Sequence, residues 1–189
     1  MRQRLISGSS PFCETFFDDA RSEKRNPIGE EGQGWNIAKY LLTHEREMIS
    51  AFGTASGQSL GKAALKQFGA DEQGRLDNGM LRADIARYEL DKLAFGATMA
   101  RVGDEVKAGH GLGPASSIFK YYGTELNKRR NELNVAVGGE YALGWSGDDY
   151  DGGAVVRGFL RSKGNSIEGG TSEVQLNIVA KRVLGLPDA

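Results

Sequence analysis

The sequence is poor in the features that would tie it to an oxidising compartment, a bilayer or a polyanion. It has one cysteine, Cys13, so no disulfide can close within the chain. No apolar run approaches the ~20 residues that cross a bilayer, and no apolar signal segment follows Met1. Lys and Arg total 24 against 25 Asp and Glu, a net charge of -1, which leaves no overall field to gather nucleic acid or anionic lipid. Neither His44 nor His110 has a glutamate three residues before it, the spacing that a carboxylate-bridged dimetal bundle requires. Metal, nucleic acid and membrane are therefore set aside, and a cytoplasmic chain with one domain-sized core is expected. Proline is scarce at 4 while glycine reaches 27, a balance that suits closely approaching helices better than a Pro-rich disordered tail.

What is present divides unevenly. Residues 2–19, "RQRLISGSSPFCETFFDD", are aromatic and punctuated by Ser-Gly and Ser-Pro, the pattern of a strand or two, too few to make a sheet. Residues 20–34 are charged, hold three glycines and Pro27, and read as a connection. From residue 35 the period becomes helical: Trp35, Ala38, Leu42, Glu45, Ile49 and Phe52 recur at three- and four-residue steps and share one face. A second helix is expected after Gly79, with Leu81, Ile85, Leu90, Leu93 and Met99 toward the core and Arg82, Asp84 and Arg87 at polar positions. A third starts near Pro114, a favoured first-turn residue, and stops at Gly138 and Gly139. Shorter helices are expected over residues 150–163 and 172–184. The expected fold is all-α, an antiparallel four-helix-type bundle over residues 35–189, preceded over residues 1–34 by a short β remnant and linker.

Glu45 interrupts an otherwise apolar stripe. Burial there would raise its carboxyl pKa and make it a proton acceptor near neutral pH. A structural ion pair with Arg82 or Arg87 on a facing helix accounts for the same pattern, and both readings stay open. "NKRRNE", residues 127–132, reads as a solvated face rather than a basic patch. Near the end, "SIEGGTSEVQLNIVAKRVLGLP" joins two glycines to a helix start. Gly169 and Gly170 allow a tight turn and close approach of a ligand, Thr171 suits an N-cap, and Glu173 suits the first helical turn. Backbone N–H groups at such a start suit a phosphate or a carbonyl oxygen acquiring charge, although most such turns merely begin helices.

The string "IEGGTSEVQLNIVAKRVLGLP" resembles the C-terminal signature of the acyl-CoA dehydrogenase family. "ISGSSPFCETFFDD", "IGEEGQGW" and "GTELNKRRNELNVAVGGEYAL" resemble further segments of bacterial members in the right order, so the resemblance covers nearly the entire chain. It implies a flavoprotein whose complete form has an N-terminal helical domain, a middle β-domain and a C-terminal bundle. This chain is expected to be the end of the middle domain followed by the bundle, with more than half of the family's length lying upstream. The implied reaction removes an α-proton from an acyl-CoA thioester while a hydride leaves the β-carbon for the flavin of FAD, giving a trans-2-enoyl-CoA.

Many members carry the catalytic glutamate directly before the Gly-Thr-Ser triplet. Here that position is Gly169, and Glu168 lies one residue earlier. In the branch lacking that glutamate the base comes from the first bundle helix, within a Glu-Arg pair, and "LLTHEREMI" supplies Glu45 and Arg46. The resemblance thus implies Glu45 as base and Glu168 as the alternative. It places the Gly169 N–H on the thioester oxygen, Arg46 and Gly170 at the substrate, and Gly138, Gly139, Thr171, Ser172 and Glu173 at FAD. The Gly138–Gly139 pair is implied to reach the cofactor of a neighbouring subunit, and a homo-oligomer or a partner subunit is expected.

Two departures bear on the cofactor. Leu65 stands where the family has a phosphate-binding arginine, and Val135 where it has a glutamine. Weak or no FAD binding is expected of this chain alone. The alternative function is a non-catalytic helical interaction module or partner subunit.

Overall fold

A computed structural model describes residues 3–50, 57–111, 113 and 115–187, without the side chains of Thr43, residues 46–50 and Asp149. Phe52, Pro114 and the side chains of Arg46 and Ile49 lie outside the described residues. Six α-helices follow one another: α1 (Gly34–Ser50), α2 (Leu60–Phe68), α3 (Gly79–Lys107), α4 (Ala115–Gly138), α5 (Ala154–Ser162) and α6 (Ser172–Ile178). Short 3-10 turns occupy Gly139–Leu143, Asp148–Gly153 and Lys163–Ser166, and a π-turn, Val179–Val183, extends α6.

The helix starts follow from side chains that satisfy first-turn N–H groups. Ser59 accepts from the Lys62 N–H at 3.4 Å before α2, Asn78 from Leu81 at 3.0 Å before α3, and Thr171 from Val174 at 3.3 Å before α6. Between α2 and α3 a tight turn, closed by an isolated antiparallel bridge from Ala70 to Leu76, is pinned by Asp71, whose carboxylate accepts the N–H groups of Gln73 and Arg75.

Every other helix packs on α4. Two rows of residues make this possible. Phe119, Leu126, Leu133 and Val137 form an apolar row that meets Leu60 and Ala64 of α2 and Leu81, Ile85, Tyr88, Phe95 and Val102 of α3. Each such side chain, fully buried, contributes about 1.5–3 kcal/mol of transfer free energy. The second row, Ser117, Lys120, Thr124, Asn127 and Asn131, advances by three and four residues and is polar. It meets the Lys163–Ser166 turn, where Asn127 Nδ2 donates to Asn165 Oδ1 at 2.8 Å and Lys128 Nζ to Ser166 Oγ at 2.7 Å.

The structure corrects several expectations. Residues 3–33 form turns and irregular chain without a strand, because no neighbouring strand is present to complete a ladder; they are mostly exposed. Helix α2 was not visible as a period, being only nine residues long. Leu90 and Leu93 are 66 % and 70 % exposed and belong to a solvent-facing side of α3, whereas Leu81 and Ile85 enter the core as expected and Met99 lies against it. Trp35 is likewise exposed. The helix expected from residue 150 begins at Ala154, because Asp151, Gly152 and Gly153 all take left-handed conformations. The segment 127–132 is half-buried except for Arg129, rather than solvated throughout, since Asn127 and Lys128 bond to the Lys163–Ser166 turn.

Two measurements test this packing. Gly153 has φ of 78°, and a Cβ there would collide with the Trp145 carbonyl, so Gly153→Ala is expected to lower stability by about 1–3 kcal/mol in a denaturant titration. Glu132 accepts a 2.7 Å bond from Lys163 beyond the end of α5, and this bond, with Arg129, holds its carboxyl below the ordinary range. The pair is partly exposed, so its worth is at most about 1 kcal/mol. Because the folded-state pKa is depressed, the contribution is present above the ordinary carboxyl value and is lost as pH falls through the folded one. The Tm difference between the wild type and Glu132→Gln should therefore shrink on acidification.

Candidate functional site

The end of α5, the Lys163–Ser166 turn and the start of α6 form one connected site. Its outer wall is set by Arg157 on α5. That guanidinium donates to Ser7 O at 3.0 Å, Gly152 O at 3.0 Å and Trp145 O at 3.2 Å, and lies 3.9 Å from the centre of the Trp145 ring. It thereby lays residues 5–12 beside α5 and encloses a cleft of about 290 Å3. Leu5, Ile6, Phe12, Leu160 and Ile167 give the cleft its apolar lining, and Arg161 and Glu168 stand at its edge. Such a lining with few polar groups suits an apolar ligand group.

Glu168 is committed to its neighbours. One carboxylate oxygen accepts from Arg161 Nη2 at 2.5 Å, and the other from Asn165 Nδ2 at 3.0 Å. Gly169 and Gly170 follow with φ of 65° and 95°, conformations that glycine adopts without strain. Gln175, fully buried on α6, donates Nε2 to the Gly169 carbonyl at 3.0 Å, and a Cβ on Gly170 would lie 2.6 Å from that nitrogen. The turn therefore closes onto Gln175 only with glycine at 170. Among the described residues, the Gly169 N–H meets no hydrogen-bond acceptor. At the helix start, the backbone N–H of Glu173 and the Thr171 hydroxyl hold the Glu173 carboxyl below its ordinary range, and Ser172 Oγ lies 3.5 Å from Ser166 O.

Glu45 is half-buried on α1, and Trp35 and Leu42 of its stripe are exposed, so the stripe is less deeply buried than the period implied. The arginines offered as its ion-pair partners are turned elsewhere: Arg82 lies 3.9 Å from Asp71 and donates to Leu76 O, and Arg87 lies 3.1 Å from Asp84. Arg46 is outside the described side chains.

Gly138 and Gly139 close the far end of α4, where Gly139 has φ of 58° and opens the next turn. The Gly169 turn lies near Lys120 and Lys128 of the same helix. At 1.5 Å per residue, Gly138 is on the order of 15–27 Å from that region, so one copy of the chain does not bring the two glycine pairs together. A larger groove of about 780 Å3 between α3 and α4 is lined by charges that already neutralise one another, among them Asp84 with Arg129 and Glu132 with Lys163. Among the described residues, no three His, Cys, Asp or Glu side chains gather as metal ligands, and no helix is long and apolar enough to cross a membrane.

Lys120, Arg157, Arg161, Asn165 and Gln175 were missed as site residues. The first had a readable signal, the polar row at three- and four-residue steps on α4; the others became visible only once the turn was built.

Residues 32–184 match the family described as "Acyl-CoA dehydrogenase, C-terminal domain". Acyl-CoA dehydrogenase IpdE1 of Mycolicibacterium smegmatis is 29 % identical over 182 residues, which cover 96 % of this chain and 44 % of that protein. Acyl-CoA dehydrogenase FadE34 of Mycobacterium tuberculosis is 29 % identical over 194 residues, 97 % of this chain and 24 % of that one. This chain thus spans less than half the length of these relatives. The fold is shared with an acyl-CoA dehydrogenase from Geobacillus kaustophilus, at a TM-score of 0.71 and 21 % identity over 89 % of this chain and 43 % of the other. It is shared also with the ChsE4-ChsE5 complex from Mycobacterium tuberculosis, at 0.68 and 24 % over 100 % and 49 %. With four-fifths of its length matched and its glycine turn, bundle and helix order in place, the chain belongs to the acyl-CoA dehydrogenase family, whose C-terminal domain it carries.

Proposed function

We propose that this chain supplies the C-terminal half of the active site of an FAD-dependent acyl-CoA dehydrogenase, which converts an acyl-CoA thioester to a trans-2-enoyl-CoA. The family match over residues 32–184 carries this reading. FAD, bound in the complete enzyme, supplies the hydride acceptor. The residues of this chain have three tasks. Glu45 takes the α-proton, the Gly169 N–H donates to the thioester oxygen as it gains negative charge, and Arg46 and Gly170 border the substrate. Gly138, Gly139, Thr171, Ser172 and Glu173 form rims for the flavin.

Geometry favours Glu45 over Glu168 as the base. A carboxylate that accepts from Arg161 and Asn165 has both oxygens occupied and would have to surrender an ion pair before receiving a proton. Glu45 is half-buried, and the arginines proposed for it pair with other acids. The distance between the two glycine pairs supports assembly, because a cofactor touching both is most simply shared between two subunits. We infer a homo-oligomer or a partner subunit on that ground. The alternative is a helical module that assembles without catalysis; the departures at Leu65 and Val135 favour it.

The deciding experiment joins this chain to the upstream half of a relative. Glu45→Gln should keep FAD and ligand binding while turnover falls on the order of 100-fold or more, the usual scale for a general base. Glu168→Gln should lose less turnover yet melt at lower temperature, because it leaves Arg161 half-buried with a weaker partner. A yellow, folded chimera in which Glu45→Gln turns over normally would refute the assignment of the base. A colourless, inactive chimera would support the module.

A further inference from the structure

Lys120 is fully buried, with no exposed surface on its side chain, in the second turn of the helix on which every other helix packs. An ammonium in such a place costs several kcal/mol unless it is hydrogen-bonded and compensated. Its Nζ donates to the Asn165 carbonyl at 3.1 Å. Burial lowers its pKa, as does Lys128 nearby on α4, while Glu125 on α4, Glu168 on the turn and Glu173 on α6 act in the opposite sense. The compensating groups beyond α4 therefore all belong to the segment that carries Gly169 and Gly170.

Asn165, itself buried, is the junction. Its carbonyl receives Lys120, its side-chain oxygen receives Asn127 at 2.8 Å, and its amide donates to Glu168 at 3.0 Å. Thus one residue ties the backbone of the turn to α4 and the Glu168 side chain to the turn. On the other side, Gln175 holds the Gly169 carbonyl. The peptide between Glu168 and Gly169 is thus flanked by a held side chain on one side and a held carbonyl on the other, and its N–H meets no acceptor among the described residues.

We propose that Lys120 is a positioning residue: acting through Asn165, its buried ammonium sets the orientation of the Gly169 N–H. This rests on the reading that the turn faces a thioester, but the orientation itself can be tested without that reading. An apolar side chain of the same length would fill the space and leave the Asn165 carbonyl without its donor. The turn, left with two successive left-handed glycines, would then sample other conformations.

The test uses two isosteric side chains. In a Cys13→Ser background, Lys120→Cys is alkylated while unfolded with either bromoethylamine or bromopropane and then refolded; the two adducts have equal length, and only the first carries an ammonium. The order parameter of the backbone N–H from 15N relaxation is read at Gly169 and, as the reference, at Leu126 and Leu133. The aminoethyl form should match the wild type near the rigid-backbone value of about 0.85, and in the propyl form Gly169 should fall below about 0.6 with Leu126 and Leu133 unchanged. Lys120→Met, expressed directly, should behave as the propyl form without any refolding step. Equal order at Gly169 in all forms, or a loss spread evenly to Leu126 and Leu133, would overturn the proposal and make Lys120 an ordinary core residue. The thioester reading is judged separately in the completed enzyme, by protection of the Gly169 amide with butyryl-CoA. Local loosening in the propyl form without such protection would sustain the positioning role and reject the ligand.

Discussion

The arrangement depends on the demand that α4 places on its surroundings. A helix that every other helix touches must find a partner for each of its buried faces, and α4 presents two of different chemistry. Its apolar row needs only hydrocarbon, which α2 and α3 provide through Leu60, Ala64, Leu81, Ile85 and Phe95. Its polar row is more exacting. Ser117, Lys120, Thr124 and Asn127 need donors and acceptors in defined places, because an unpaired polar group at low dielectric is costly. The Lys163–Ser166 turn supplies them for Lys120 and Asn127.

This division of labour explains where a rigidly held turn can sit. Apolar packing is tolerant of small shifts and would not fix one peptide group to within a few tenths of an ångström. A chain of directional bonds does so: from Lys120 to Asn165, from Asn165 to Glu168, and from Gln175 to Gly169. Rigid support behind a functional backbone group is what allows it to act without rearrangement. Arg157 performs a comparable task on the outside, holding the N-terminal segment against α5 by three carbonyls and one ring. Both devices use a cation to hold a carbonyl from a distant part of the chain, three of them for Arg157 and one for Lys120.

The same physics separates the two glutamates. Glu168 lies next to the glycine pair in sequence, yet Arg161 and Asn165 make it part of the scaffold. Glu45 is more than a hundred residues away along the chain, and the arginines that might have claimed it are held by Asp71 and Asp84. Nearness in sequence to a motif therefore leaves open whether a carboxylate is free, because the neighbouring side chains decide which one is already bonded.

The sequence by itself determined the helical class, because three- and four-residue periods are a local property of the chain, and the starts of α1, α3, α4 and α6 fell where capping residues, glycine or the change of period placed them. It also determined the glycine turn at 169–170 and the family, since both rest on contiguous residues. It misplaced Leu90, Leu93 and Trp35, because an apolar residue on a periodic face is buried only where another element covers that face. It suggested strands at the N-terminus, which need a hydrogen-bonding neighbour that no short segment can name. Only the tertiary structure decided that Lys120 is buried, that Asn165 joins it to Glu168, and that Gln175 closes on Gly170. Those contacts pair residues 38 to 45 positions apart, or across a turn whose geometry two glycines leave open, and no spacing rule along the chain encodes them.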